Sequence, residues 1–289
     1  MLIQLLINGF IMGSIYSLVS LGYALIYNTT KTFHIAYAVI YMFCPYMFLT
    51  FHNKLGLNLV SALSISIIST IILSLLIETL VYQPLEKKKS SLNIIMISSI
   101  GVMTVVINLI AMSYGSETKI INKRISESVS IGDIIITHTQ LYQFVTSILI
   151  LGTFLLILKY SNFGIKTRAM RDNNLLCSVF GLSISKFRIL LFAVSGLFAA
   201  IGGFLVAYDV GMDPYVGMPM LLNAVVALII GGVGKFEGPI VGGFIIGILQ
   251  SLTVWVFSSR WQSAVTFVLL IIFLLFRPQG ILGEKQRQV

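Results

Sequence analysis

The residue types that carry out covalent or metal chemistry are few in this chain, and they are not spaced as a reactive set. The three histidines, His34, His52 and His138, stand singly, and no His-Glu-x-x-His, Cys-x-x-Cys or Gly-x-Ser-x-Gly sequence is present. Gly234-Lys235 resembles the end of a phosphate-binding loop, but Phe236 stands where that motif requires Ser or Thr. The sequence therefore predicts a protein that is not an enzyme and that binds no metal, nucleotide or other cofactor itself.

Glu78 stands out as a carboxylate inside a long apolar stretch, about one turn before Pro84. A carboxylate inside a membrane can relay protons, or it can be held by a basic partner from a neighbouring loop. We favour the second role, because a carrier driven by an ion gradient usually needs more buried carboxylates than this. Glu78 is therefore predicted to be structural.

The composition of the whole chain sets the class of protein. Of its 289 residues, 57% are hydrophobic and 10% are charged, against about 25% charged in an ordinary globular domain. Residues 1–30, 55–77 and 90–116 contain no Asp, Glu, Lys or Arg, and each stretch is long enough to cross a hydrocarbon layer of ~30 Å. These features exclude a soluble enzyme, a nucleic-acid binder and a disordered chain, and they predict an all-α polytopic membrane protein.

Nine apolar segments are expected to form one membrane domain that covers residues 1–289. They lie at 2–27, 33–51, 57–82, 93–113, 141–158, 188–207, 220–230, 238–257 and 262–276. The seventh is too short to span alone and is typical of a half-helix or one arm of a broken span, so we expect roughly eight to ten membrane helices. Most lysines and arginines fall in loops on one side, which predicts an N-terminus outside and a C-terminus inside.

Two loops are long enough to carry structure of their own. Residues 114–140 are expected to lie outside as a β-hairpin, since apolar residues alternate with polar ones before a turn at Gly132-Asp133. Residues 159–187 are expected to lie inside and to contain an amphipathic helix that docks a soluble partner. Its apolar face is Leu175, Leu176, Val179 and Phe180, preceded by Arg168, Arg171 and Asp172.

Glycines and other small residues form two further patterns. Gly9-x-x-x-Gly13 and Gly243-x-x-x-Gly247 have the spacing that lets membrane helices pack closely. A second cluster cannot form one straight helix, and irregular backbone at membrane depth must be covered by protein or line a cavity. It therefore indicates a substrate pathway or gate, with plain helix packing as the alternative. The cluster contains Gly231, Gly232, Gly234, Gly238, Gly242 and Gly243, with Pro239.

The order and spacing of the motifs along nearly the whole chain resemble those of the LivH-type permease subunit of bacterial ABC importers for branched-chain amino acids. The resemblance is carried by Glu78 with Tyr82-Gln83-Pro84-Leu85, by Ile97-Ser98-Ser99-Ile100-Gly101 with Asn108, by Gly164, Arg168, Asn173 and Gly181, by Gly231-Gly232-Val233-Gly234, and by Phe276-Arg277-Pro278-Gln279-Gly280.

The resemblance implies a multi-pass subunit in the bacterial cytoplasmic (inner) membrane. It implies four partners besides the lipid: a homologous second permease, two cytoplasmic ABC ATPases that bind the ATP, and an extracytoplasmic substrate-binding protein. No nucleic acid is implied. The loop residues Arg168, Arg171, Asp172, Phe180 and Gly181 would then couple the spans to the ATPases.

The resemblance also suggests which residues lie along the substrate pathway. They are His34, Tyr37, Asn108, Asn223, Gly231, Gly232 and Gly234. The closest alternative function is an importer of the same kind that carries urea, a short amide or a sugar. An intramembrane enzyme is disfavoured by the lack of paired catalytic groups, and a passive channel by the lack of rings of charge.

Overall fold

The computed structural model describes residues 2–121, 128–131 and 134–283. Gly132-Asp133, where the sequence predicts a turn, lies outside the described residues. In chain order the helices are α1 (Leu2–Thr30), α2 (Tyr37–Leu49), α3 (Leu59–Ile77), α4 (Gln83–Lys87), α5 (Leu92–Tyr114), α6 (His138–Tyr160), α7 (Asn162–Asp172), α8 (Asn174–Val179), α9 (Ile184–Val210), α10 (Gly217–Gly231), α11 (Gly238–Val256) and α12 (Gln262–Phe276).

Among the described residues, seven helical stretches are long and apolar enough to cross a membrane. They are α1, α3 continued into α4, α5, α6, α9, α11 and the stretch Ser259–Phe276 that contains α12. This architecture confirms the prediction of an all-α polytopic membrane protein. Two further apolar helices are shorter: α2, which a π-helical turn extends over Thr50–Lys54, and α10.

The ends of several helices follow from local sequence. Asn58 caps α3 by accepting a hydrogen bond from the backbone N–H of Ser61 at 2.9 Å. Thr137 and Gln140 form a reciprocal capping box that begins α6. The chain before α6 forms an antiparallel pair, β1 (Ser128–Ile131) and β2 (Ile134–Thr137). The predicted outside position of residues 114–140 stays a prediction.

The chain divides into two compact units, and the single membrane domain over residues 1–289 stays a prediction. The first unit is Met1–Ala24, Arg124–Ser161 and Leu222–Val289. In this unit α1 packs closely on α11 through facing small residues. A Cβ added at Gly9 would lie 2.8 Å from the Cα of Ile248, and one at Gly13 would lie 2.9 Å from the Cα of Phe244. The four-residue glycine spacing is thus used for close helix packing, as predicted.

The second unit is Leu25–Lys123 and Asn162–Leu221. Helices α2, α3 and α9 pack on one another there. Gly203 of α9 lies directly against the carbonyl of Tyr41 in α2, and Ser74 of α3 donates to the carbonyl of Phe192 at 2.8 Å. Small and hydroxyl-bearing residues therefore bring the backbones of these three helices together.

We expect Gly247→Ala to destabilise the protein. The added methyl would meet the backbone of α1 at Gly13, and overfilling a packed contact costs about 1–3 kcal/mol. Gly152→Ala is the matched control in the same unit, since a Cβ there meets nothing within 4 Å. The measurement is the thermal unfolding midpoint in one detergent. Equal midpoints for the two variants would show that the α1–α11 contact is not tight.

Candidate coupling surface and membrane polar sites

Helix α8 is held in a defined shape by caps at both ends. Asn173 accepts hydrogen bonds from the backbone N–H groups of Leu175 and Leu176, at 2.9 and 3.1 Å. At the other end Gly181 adopts a φ of +81°, which an L side chain rarely adopts, and Leu182 N–H donates to the carbonyl of Cys177 at 3.0 Å. This is the Schellman arrangement that ends helices at glycine.

The apolar face predicted on this loop is exposed. Leu175, Val179 and Phe180 are 78%, 79% and 87% exposed, and Leu176 is also on the surface. Exposing a large aromatic and three aliphatic side chains on a short, doubly capped helix is unfavourable in water, so the patch is typical of an interaction site. We call Leu175, Leu176, Val179 and Phe180 the α8 patch.

Basic side chains accompany the α8 patch in the same unit. Arg171 pairs with Asp172 at 2.7 Å, and Arg168 lies one turn earlier in α7. Lys31 directly follows α1. Burial lowers the pKa of its ammonium, and the nearby charge of Arg171 lowers it further. The charge of Asp172 opposes this shift. A cavity of about 380 Å³ opens beside Phe180 and Gly181, with Lys166 and Lys186 among its lining residues.

Glu78 is fully buried and is paired with a base, as the sequence predicts. Its two carboxylate oxygens accept hydrogen bonds from Nε and Nη2 of Arg188 at 2.8 and 3.1 Å. The third guanidinium nitrogen of Arg188, Nη1, pairs with Glu86. Arg188 is 4% exposed and lies within α9, which begins at Ile184. The structure places Arg188, the first residue of the predicted segment 188–207, inside α9, where one guanidinium pairs with two carboxylates.

His34 and Tyr37, two predicted pathway residues, lie together in the second unit where α2 begins. Nδ1 of His34 is 2.6 Å from the hydroxyl oxygen of Tyr82, which itself donates to Ser99 at 2.7 Å. Ser99 also accepts from the backbone N–H of Ala36 at 2.8 Å. Since the Tyr82 proton is used on Ser99, His34 must donate through Nδ1. The network fixes the non-helical residues that precede α2.

Asn223, in the first unit, belongs to a different polar network. Gln250 of α11 lies at its centre: its Nε2 donates to Asn223 Oδ1 at 3.1 Å and to Thr266 Oγ1 at 2.9 Å. Its Oε1 accepts from the hydroxyl of Tyr16 at 2.6 Å. This network joins four helices inside the membrane segments, and Gln250 is buried.

The glycine-rich turn between α10 and α11 is packed against the end of the described chain. Gly232 has a φ of +114°. A Cβ there would lie 3.0 Å from the Cα of Gly283. The carbonyls of Ile230 and Gly231, left open where α10 ends, accept from the backbone N–H groups of Ile281 and Leu282 at 2.8 and 2.9 Å. Gly234, by contrast, faces open space, with φ +101°.

The predicted pathway residues are thus divided between the two units. Asn108, on α5, is exposed, and its amide donates to the carbonyl of Thr104 in its own helix at 2.8 Å.

The sequence analysis missed two residues at the centres of these networks, Arg188 and Gln250. The unpaired Glu78 could have signalled the need for Arg188, and a glutamine in an apolar helix is itself a signal for a polar network.

Comparison with known proteins decides the family. The family model described as "Branched-chain amino acid transport system / permease component" matches residues 5–274. The chain belongs to this family. It is 28% identical to the high-affinity branched-chain amino acid transport system permease protein BraD of Pseudomonas aeruginosa, over 98% of this chain and 96% of BraD. It is 26% identical to LivH of Escherichia coli, over 98% and 96% of the two chains.

A solved structure shows the same fold. PsaBC from Streptococcus pneumoniae, in complex with Fab, superposes with a TM-score of 0.54 over 96% of this permease and 91% of that chain, at 16% identity. The family match, together with the apolar helices, makes the chain a multi-pass permease of the bacterial inner membrane, and the family is a transport component that is not itself an enzyme. It works within a multi-component ABC system with membrane partners.

Proposed function

We propose that this permease carries branched-chain amino acids inward, driven by ATP that two partner ATPases hydrolyse at the cytoplasmic face. A homologous second permease would complete the membrane channel, and an extracytoplasmic binding protein would deliver the solute. Branched-chain amino acids are the cargo named for BraD and LivH. Because this chain has no nucleotide-binding loop, the energy must come from a partner.

The α8 patch is the observation that carries the proposal. Phe180 and Val179 are exposed on a capped helix between two membrane spans. Packing within the described part of the chain does not explain why these apolar side chains are on the surface. Insertion of this face into a groove on an ATPase would bury it, and movement of the ATPases on binding ATP would be passed to α9, which follows Gly181 and Leu182 directly. With this face inside, and with α2 and α10 crossing the membrane in addition to the seven longer stretches, the N-terminus lies outside and the C-terminus inside.

We propose that the solute passes beside polar residues of the membrane segments. Asn223 is half-buried and has its Nδ2 group uncommitted among the described residues. His34 and Tyr37 line the non-helical entry to α2, and Asn108 presents an amide from α5. Gly231 and Gly232 keep the turn after α10 compact, and at Gly234 an added Cβ would meet nothing within 4 Å.

The experiment is to purify the permease pair with its ATPases in lipid nanodiscs and to measure ATP hydrolysis. Binding protein loaded with L-leucine is expected to stimulate hydrolysis, and the same protein loaded with urea, acetamide or ribose is not. If one of those solutes stimulates hydrolysis and leucine does not, the proposed cargo is wrong and that solute is the cargo. Failure of the permease to copurify with the ATPases would overturn the coupling role.

A further inference from the structure

A small cavity lies in the first unit where three helix ends come together. It has a volume of about 210 Å³ and is bounded by the first turns of α1, the last turns of α11 and the start of α12. Asn8, Gln250 and Gln262 contribute polar surface to it, and Leu5, Met12 and Val254 contribute apolar surface. All of these residues belong to one compact unit.

Two amide groups that line this cavity have unused hydrogen-bonding capacity. Asn8 accepts from Gln4 at 3.2 Å through Oδ1, and within the described part of the chain its Nδ2 donates to nothing. Gln262 makes one long contact of 3.5 Å, from Nε2 to the carbonyl of Gln250, and in the same described residues its Oε1 accepts nothing. The cavity therefore offers a donor from α1 and an acceptor from α12.

The base of the cavity is rigid because its other polar groups are already satisfied. Tyr16 donates to Gln250, and Gln250 donates to Thr266 and Asn223. Polar side chains inside a membrane are costly and are retained where they line a solute path. The hydrogen-bonded base also connects the cavity to Asn223, a residue of the proposed pathway.

The chemistry of the lining selects the ligand. Among the described residues no charged side chain lines the cavity, so a solute with a net charge would find no counter-ion there, whereas the two charges of a zwitterion balance each other. A zwitterion fits, because its carboxylate can accept from Asn8 Nδ2 while its ammonium donates to Gln262 Oε1. The apolar surface of Leu5, Met12 and Val254 suits a short aliphatic side chain.

We propose that this cavity is an entry subsite for a zwitterionic amino acid with an aliphatic side chain. The inference rests on the proposed function. With the N-terminus of α1 outside, the cavity lies near the external face, where a binding protein would release its solute. The β-hairpin is joined to it: Gln4 exchanges two hydrogen bonds of 2.8 Å with the backbone of Ile135 in β2, and it also contacts Asn8. Contact with the hairpin would thereby position Asn8.

The test uses the complete importer in proteoliposomes, with saturating binding protein loaded with radiolabelled L-leucine. Asn8→Leu and Gln262→Leu are each expected to lower leucine uptake about tenfold, because each removes a hydrogen bond to a charged group of the solute. ATP hydrolysis stimulated by the binding protein is expected to persist, so that the leucine transported per ATP falls by a similar factor. A purely structural role would reduce both rates together.

Asn53→Leu is the matched control, since Asn53 is exposed and makes no side-chain hydrogen bond among the described residues. Leucine transport per ATP that equals the wild-type value in both cavity variants would overturn the inference alone. The inference would also be overturned if either cavity variant loses the second permease from the purified complex, because the cavity residues would then form a contact between subunits. If the wild-type importer hydrolyses ATP but takes up no leucine, the proposed cargo is wrong and the subsite assignment falls with it.

Discussion

Arg188→Met is expected to destabilise the permease more than any other single change considered. The variant leaves the fully buried Glu78 carboxylate without its two hydrogen bonds and without a neutralising charge. Breaking a buried pair from one side costs about 3–5 kcal/mol. The measurement is the thermal unfolding midpoint of the detergent-purified protein, together with the yield of the monodisperse form.

Two further variants separate loss of the charge balance from loss of packing. Glu86→Gln removes the half-exposed partner of Arg188 and is expected to cost at most about 1 kcal/mol. The double variant Glu78→Leu with Arg188→Met replaces the buried pair by apolar groups, and it is expected to be more stable than Arg188→Met alone. An Arg188→Met midpoint equal to that of Glu86→Gln would show that the buried pair is not a major source of stability.

Phe180→Asp is expected to abolish transport without affecting insertion into the membrane. Phe180 is 87% exposed and contributes little to the fold, but an aromatic anchor at the centre of an interface contributes about 2 kcal/mol or more to binding. The loss corresponds to about 30-fold weaker docking of the ATPase. ATP hydrolysis stimulated by the binding protein should disappear together with uptake.

The control for this prediction is Phe180→Leu, which keeps an apolar side chain at the same exposed position and is expected to retain most activity. Gly181→Glu should resemble Phe180→Asp, because a glutamate is strained at a φ of +81° and α8 would lose its C-terminal cap. Wild-type transport by Phe180→Asp would show that the α8 patch does not contact the ATPases.

The sequence predicted the membrane segments well where a long apolar run ends at a polar or glycine residue. The predicted segments 93–113 and 262–276 correspond to α5 and α12 within one residue at each end. The second apolar segment was predicted from residue 33, but α2 begins at Tyr37. His34 holds the intervening residues out of the helix through Tyr82 and Ser99, and such a distant contact leaves no local pattern.

The polar partners were the least predictable part of the candidate site. Arg188 and Glu78 are separated by 110 positions, and a single sequence does not show which base reaches a buried carboxylate. The basic residues Lys186 and Arg188 have the composition of a loop, so the predicted segment begins only at residue 188, whereas α9 begins at Ile184. The glycine-rich turn was located correctly, but the chain that covers it, residues 279–283, is brought there by tertiary packing.

Uptake of radiolabelled L-leucine into proteoliposomes tests the central claim most directly. The vesicles contain the permease pair and ATPases, with loaded binding protein outside and ATP or ADP inside. We expect uptake with ATP only, with the same initial rate when a protonophore removes the proton gradient, since Glu78 is held by Arg188 and is not free to carry protons. Leucine uptake that proceeds with ADP, or that stops when the proton gradient is removed at constant ATP, would contradict an ATP-driven permease.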